Sequence, residues 1–396
     1  MNNELGILIP LNIRTVTPLH IGGNDLLSPL ADYWMDEQKN IHLVNEGLLA
    51  AAVYDKSKTN EYIKSVEQVA TEKKGKMLYD FVKDSLHKDM PDLLTGIYYK
   101  SFGIENPIEI DCCIQTDGMP YIPGSSIKGA LRSAILQNWL SSGKAESNKA
   151  LNDFLDALRT FSQRNDLNNG KKISEIEKVF REKTEESLFG GLRDDNRLAA
   201  SCLRVNDTGS VRTEKAAVYQ LDRFNLLSGE RNIPVLKQCI DKDAVLSTTV
   251  NIDYYSYREK KYHGVFKDIL SKAELFALIN SVTLHVLNYE FALMGNKEVY
   301  AAKLKAYEDF MGTMKERIEQ CNNKKAFMRL GFGKMQFYQT IAMSLFAKLG
   351  RDEENAEWVQ YLCYCNKMSE DLSAVYPSTR VLTSSGQLPL GWIELE

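Results

Sequence analysis

What this 396-residue chain lacks narrows its chemistry first. Its seven cysteines are an odd number, made of the adjacent Cys112 and Cys113, the pair Cys363 and Cys365, and three singles, and no CxxC occurs. The five histidines, His20, His42, His87, His263 and His285, never fall at zinc-ligand spacing. That disfavours a metal site and leaves the thiols as reduced, buried groups. No stretch reaches the roughly 18 apolar residues of a membrane span. The N-terminus has no basic start and is broken by Pro10, Asn12 and Arg14, so it reads as neither signal peptide nor anchor. A cytoplasmic protein is expected. Excess positive charge is missing too: 49 basic residues face 53 acidic ones, so any nucleic acid must be met by a local patch. There is no GxxxxGK[ST], which removes support for nucleotide hydrolysis, and no recognisable Ser-His-Asp or Cys-His arrangement. No cofactor is expected.

What is present is a globular composition, 44% apolar and 26% charged, on a chain too long for one ordinary core. Period-two patterning predicts a strand over 7–17, with Ile9, Leu11 and Ile13 on one face and Pro10 at a start or edge. Further strands are expected at 41–44, over the alternating 107–118, at 201–207, 217–224 and 245–257, and in the terminal 388–396. Residues 46–100 read as helical and charged, and 141–187 as a helical insertion with pieces near 150–161 and 173–186. A long helical region is expected over 272–320, with another helical spacing from Phe337 to Leu349. The mixture predicts an α+β fold of two ferredoxin-like (RRM-like) domains, 1–212 and 213–396, with helical insertions at about 46–100 and 141–187.

The stretch PGSSIKGALR, 123–132, places a turn against a helix. With Ser125 or Ser126 as N-cap, the apolar positions Ile127, Ala130, Leu131, Ala134, Ile135 and Trp139 fall on one helical face. Lys128 and Arg132, four apart, share another side near the positive helix start, where an anion binds readily. The plainer alternative is a capped turn with solvated cations. Three other glycine loops, HIGGN (20–24), FGG (189–191) and GFGK (331–334), stand beside element ends. Such loops can follow a sugar-phosphate backbone while an aromatic such as Phe332 stacks on a base. His20 could act as a general base, and Asp25, Asp32 and Asp36 could hold a metal or assist in-line attack on an RNA 2′-hydroxyl, but a packed histidine and ordinary turn aspartates are the plainer readings.

Together TPLHIGG (17–23), YIPGSSIKGALR (121–132), LFGG (188–191) and RLGFGK (329–334) resemble the RAMP superfamily of CRISPR-associated proteins. With the ending YPSTRVLTSSGQLPLGWIEL (376–395), the chain is most similar to the fifth Csm subunit of type III-A effector complexes. The resemblance implies two ferredoxin-like domains and a non-catalytic subunit that binds the 3′ part of a CRISPR RNA. It also implies contact with the neighbouring backbone RAMP subunit and other Csm subunits, and a part in RNA maturation that involves host nucleases. By motif position it assigns RNA contact to His20, Gly22 and Gly23, to Gly124, Ser125, Ser126, Lys128 and Arg132, and to Gly331, Phe332, Gly333 and Lys334. Asp32 lies near the place of the target-cutting aspartate of backbone subunits, at a different spacing. The competing expectations are an RNA-processing endonuclease using His20 or Asp32, and a pure protein scaffold.

Overall fold

In the computed structural model, the described residues are 5–72, 77–162, 169–189, 199–226, 228–256, 261–262, 266, 268–294, 304–334, 338 and 379–396. In chain order the strands are β1 (Gly6–Thr15), β2 (Gly22–Leu27), β3 (Tyr33–Met35), β4 (Ile41–Val44), β5 (Leu94–Phe102), β6 (Ile110–Cys113), β7 (Gln115–Thr116), β8 (Met119–Pro120) and β9 (Leu203–Val205). They continue with β10 (Ala216–Asn225), β11 (Arg231–Ile240), β12 (Val245–Asp253), β13 (Tyr255–Ser256), β14 (Lys261–Tyr262), β15 (Ala326–Arg329), β16 (Thr379–Thr383) and β17 (Trp392–Leu395). The helices are α1 (Glu46–Asp55), α2 (Thr59–Glu72), α3 (Leu78–Phe81), α4 (Gly124–Leu140), α5 (Ala145–Ser162), α6 (Asn169–Phe180), α7 (Glu186–Phe189), α8 (Lys272–Met294) and α9 (Lys305–Gln320). The fold is α+β.

The first sheet is antiparallel throughout, in the order β15-β17-β1-β12-β9. Its core face follows from alternation: Ile9, Leu11 and Ile13 of β1 and Leu246, Val250 and Ile252 of β12 are buried, while Leu8 is exposed. Against them pack Ile127, Leu131 and Ile135 of α4 and Leu275, Phe276 and Ile279 of α8. Pro10 sits beyond the three β1 residues, Ile13–Thr15, that pair with β17, so its missing N–H leaves no ladder bond unmade. The strand as a whole is internal; only this part of it is an edge.

The second sheet is mixed, in the order β2-β6-β11-β10-β5-β4-β3, with β16 pairing β10 where β5 has ended. A backbone pair between Leu19 and Ile240 ties the chain leaving β1 to the end of β11. Both sheets take strands from each side of residue 212: β1 and β9 join β12, β15 and β17, while β2 to β6 join β10, β11 and β16.

Several expected elements differ. Residues 46–100 are not helical throughout, because Leu94–Phe102 forms β5. The alternation over 107–118 condenses to β6 and the short β7–β8 hairpin, and Cys113 is buried like Cys112, since its thiol packs beside His20. The 272–320 region is two helices, α8 and α9. The helical insertions also differ from each other. Helices α1 to α3 close their own small core around Val53, Phe81 and Leu86, whereas Leu151, Phe154 and Ile176 of α5 and α6 join the main core. The helix expected from Phe337 to Leu349 lies outside the described residues apart from Tyr338.

Candidate nucleic-acid interface

The first glycine loop and the GFGK loop, some three hundred residues apart in sequence, meet in the structure. Phe332 donates its backbone N–H to the His20 carbonyl at 2.8 Å. Gly331 has φ +70°, and a Cβ there would lie 2.2 Å from that same oxygen, so the turn requires glycine. From behind, the buried Arg329 fastens the loop, donating to the Leu390 carbonyl at 2.9 Å and to the Gly333 carbonyl at 2.8 Å.

Gly22 and Gly23 begin β2, whose outer edge has no partner strand among the described residues. Residues Gly22 to Leu26 are exposed, and the β2–β6 register shifts between Gly22 and Leu26. A bulged, solvent-facing strand edge carries unpaired amides that can meet phosphate oxygens. His20 itself does not face solvent. It is 2% exposed, its Nδ1 donates to the Gln238 carbonyl at 2.7 Å, and the Cys113 thiol lies 3.7 Å from the same nitrogen. Burial holds its imidazole below the usual 6.5, outweighing that hydrogen bond. The residue therefore anchors the loop, and a direct contact through its ring would need the loop to open.

Phe332 is half-buried against the cluster of Tyr219, Leu221 and Leu390. Its ring meets His20 edge-on at 6.0 Å and carries the Lys237 ammonium 4.4 Å from its centroid. Lys237 also pairs with Asp111. Sequence reasoning missed Lys237, because β11 was not foreseen; its only signal was a cation between Leu236 and Gln238 in a short run of strand-forming residues. Lys334 is partly buried, and burial lowers its ammonium pKa, with Arg329 adding to the effect.

The helix start is built differently from the expected serine cap. Pro123 is the N-cap and makes no side-chain capping bond; the Gly124 N–H is met instead by Asp207 Oδ1 at 2.6 Å. Gly124 packs against β9 so closely that a Cβ would lie 2.1 Å from the Val205 carbonyl oxygen. Asp207 thus already supplies one negative group to the positive helix end. Ser125 remains exposed, and Ser126 is half-buried with its N–H bonded to the Pro123 carbonyl at 3.0 Å. Lys128 is half-buried, and its pKa is lowered by burial and then by Arg132 and Arg204. Arg132 does not simply face solvent: it pairs with Glu185 at 3.6 Å and lies 5.3 Å from the Phe189 ring centroid. Gly190 and Gly191 of the FGG loop lie outside the described residues.

The described thiols and carboxylates of this region are held by burial or by local hydrogen bonds. Burial pushes the Cys112 and Cys113 thiols up to about 12 and about 11. Asp32 Oδ2 accepts the Ser28 N–H at 2.7 Å and so closes a turn. Asp36 accepts from His42 and Asn40. Among the described residues no group of three or more His, Cys, Asp or Glu could hold a metal ion, and no helix is long and apolar enough to cross a membrane.

The fold has solved counterparts. A chain of the cryo-EM structure of a Csm–crRNA–target RNA ternary complex of a type III-A CRISPR-Cas system superposes with a TM-score of 0.68 at 21% identity, covering 97% of this chain and 99% of that one. The crystal structure of T. onnurineus Csm5 superposes with a TM-score of 0.65 at 17% identity, covering 96% of this chain and 99% of the other. No curated protein sequence matches. The RAMP superfamily model, however, matches residues 12–335, a span that includes all three loops just described, and the chain belongs to the RAMP superfamily.

Proposed function

We propose that this protein is the RNA-binding subunit of a type III-A Csm complex, holding the 3′ part of the CRISPR RNA and supporting its maturation without cutting RNA itself. The observation that carries the reading is the near full-length match to a chain from a Csm–crRNA–target RNA assembly. The joined glycine loops supply the chemistry: an exposed strand edge at Gly22 and Gly23, with Phe332 and Lys237 behind it, suits a ribose-phosphate chain. Ser125 and Lys128 form a second group at the start of α4. Adjacent backbone RAMP and other Csm subunits are the protein partners in this reading, and host nucleases do the trimming in the cytoplasm.

The connectivity β1-α4-β9-β12-α8-β17, in the sheet order β17-β1-β12-β9, supports a ferredoxin-like unit, with β15 added outside β17. A second such unit, around β10 and β11, belongs to the same proposal. Burial of His20 and the turn role of Asp32 argue against an endonuclease built on either. The test is to assemble the complex with Lys128→Ala and with Phe332→Leu, then extract and size the bound RNA. Loss of RNA, or altered 3′ ends, is expected in folded variants. Unchanged RNA in both refutes the assignment of these residues, and RNA cleavage by the purified wild-type subunit refutes the non-catalytic reading.

A further inference from the structure

Away from the glycine loops, β3, β4 and β5 carry a row of rings. Trp34 stands opposite His42, and His42 opposite Tyr98, with ring centroids 5.4 and 5.5 Å apart. Tyr79 of α3 extends the row, nearly parallel to Trp34 at 12° with centroids 6.2 Å apart. Between α3 and β3 opens a cavity of about 390 Å³ that both rings line. That volume falls in the range of ligand pockets.

The charged residues of its described lining have one sign. Asp36, Glu37 and Asp80 face the cavity, and none of its described lining residues is lysine, arginine or histidine. Asp36 is already engaged by His42 and Asn40, whereas Glu37 and Asp80 are exposed and have no ion-pair partner among the described residues. The Lys83 ammonium lies 5.8 Å from the Tyr79 ring centroid, outside the cavity lining. An aromatic face attracts cations, and carboxylates at its rim add to the attraction, whereas those same carboxylates repel a phosphate. We propose that this acidic aromatic cavity is a docking site for an arginine or lysine side chain presented by a protein partner. Charge complementarity decides the occupant: a nucleic acid would bring its negative backbone against three carboxylates.

The test uses the full chain and a blocked pentapeptide, Gly-Gly-Arg-Gly-Gly, with its glutamine counterpart and an oligouridylate as comparisons. Tryptophan fluorescence, taken as the difference from Trp34→Phe, and calorimetry report binding. The arginine peptide is expected to saturate and the other two are not. Glu37→Gln/Asp80→Asn, two exposed changes that leave the core intact, should weaken the arginine peptide about tenfold, the size of two exposed ion pairs. Equal binding of the glutamine peptide, no saturation by arginine, undiminished affinity in the double variant, or preference for the oligouridylate overturns the proposal.

Discussion

Gly331 gives the most direct test of how the two loops are joined. Alanine at φ +70° would bear the steric penalty of the left-handed region, about 1–2 kcal/mol. Its Cβ would also lie 2.2 Å from the His20 carbonyl oxygen, which belongs to backbone and cannot swing aside like a side-chain tip. Relieving that approach moves the acceptor of the Phe332 N–H, and a buried donor left without a partner costs about 1–3 kcal/mol more. Gly331→Ala should therefore lower stability by about 2–5 kcal/mol. The control is Gly96→Ala: φ is +83° there, but an added Cβ meets nothing within 4 Å, so only the conformational penalty of about 1–2 kcal/mol applies. Equilibrium denaturation of both variants, with hydrogen exchange at the Phe332 amide, separates the two contributions. If the variants lose equal stability and Phe332 stays protected in Gly331→Ala, the loops are not held together by this close approach.

Other consequences can be measured with the same preparations. Arg380 and Glu290 form an ion pair at 3.0 Å with exposures of 2% and 0%, so Arg380→Ala should cost about 3–5 kcal/mol in denaturant unfolding, while the double change Arg380→Met/Glu290→Met should recover most of it. Lys128→Ala should flatten the salt dependence of RNA binding by about 0.7 log unit per log unit of salt for one lost phosphate contact, whereas Arg132→Ala, which breaks the Glu185 pair and the Phe189 contact, should lower stability by about 1 kcal/mol. His20 has a folded-state pKa below 6.5, so the unfolded chain binds its proton first on acidification. The contribution of His20 is therefore fully present above pH 6.5 and is lost as pH falls from there through the folded value, by at most about 1.4 kcal/mol per pH unit. Denaturation midpoints between pH 7.5 and 5 should fall less steeply in His20→Gln than in the parent.

Local patterns were legible wherever one face of an element is buried and the other wet. The alternation Leu246, Thr248, Val250, Ile252, Tyr254 is buried at all five positions, and the α4 stripe from Ile127 to Ile135 is buried too. Strand β11 escaped notice because Leu236, Lys237, Gln238, Cys239 and Ile240 are all buried, which erases the period of two. In β5 the reverse holds: the strand is mostly exposed, and nothing in its hydrophobic pattern marks a face. The N-cap of α4 was misplaced because its capping carboxylate, Asp207, comes from a loop 83 residues away, and no local pattern reveals a cap of that kind.

The motif residues divide by role in a way their clustering in sequence conceals. His20, Gly331 and Gly124 act through backbone geometry: one lends a carbonyl, the second fits beneath it, and the third allows α4 to press on β9. Gly22, Gly23, Ser125 and Lys128 present groups to solvent, wholly or in part. Motif membership thus combines positions that build the loops with positions free to touch a ligand, and only the second kind should alter RNA affinity while leaving stability unchanged. A paired measurement separates them: Lys128→Ala should reduce RNA retention at parental unfolding free energy, and Gly331→Ala should reduce both together. If Gly331→Ala kept full stability yet lost RNA, the glycine would be a contact residue and the division drawn from its approach to His20 would fail.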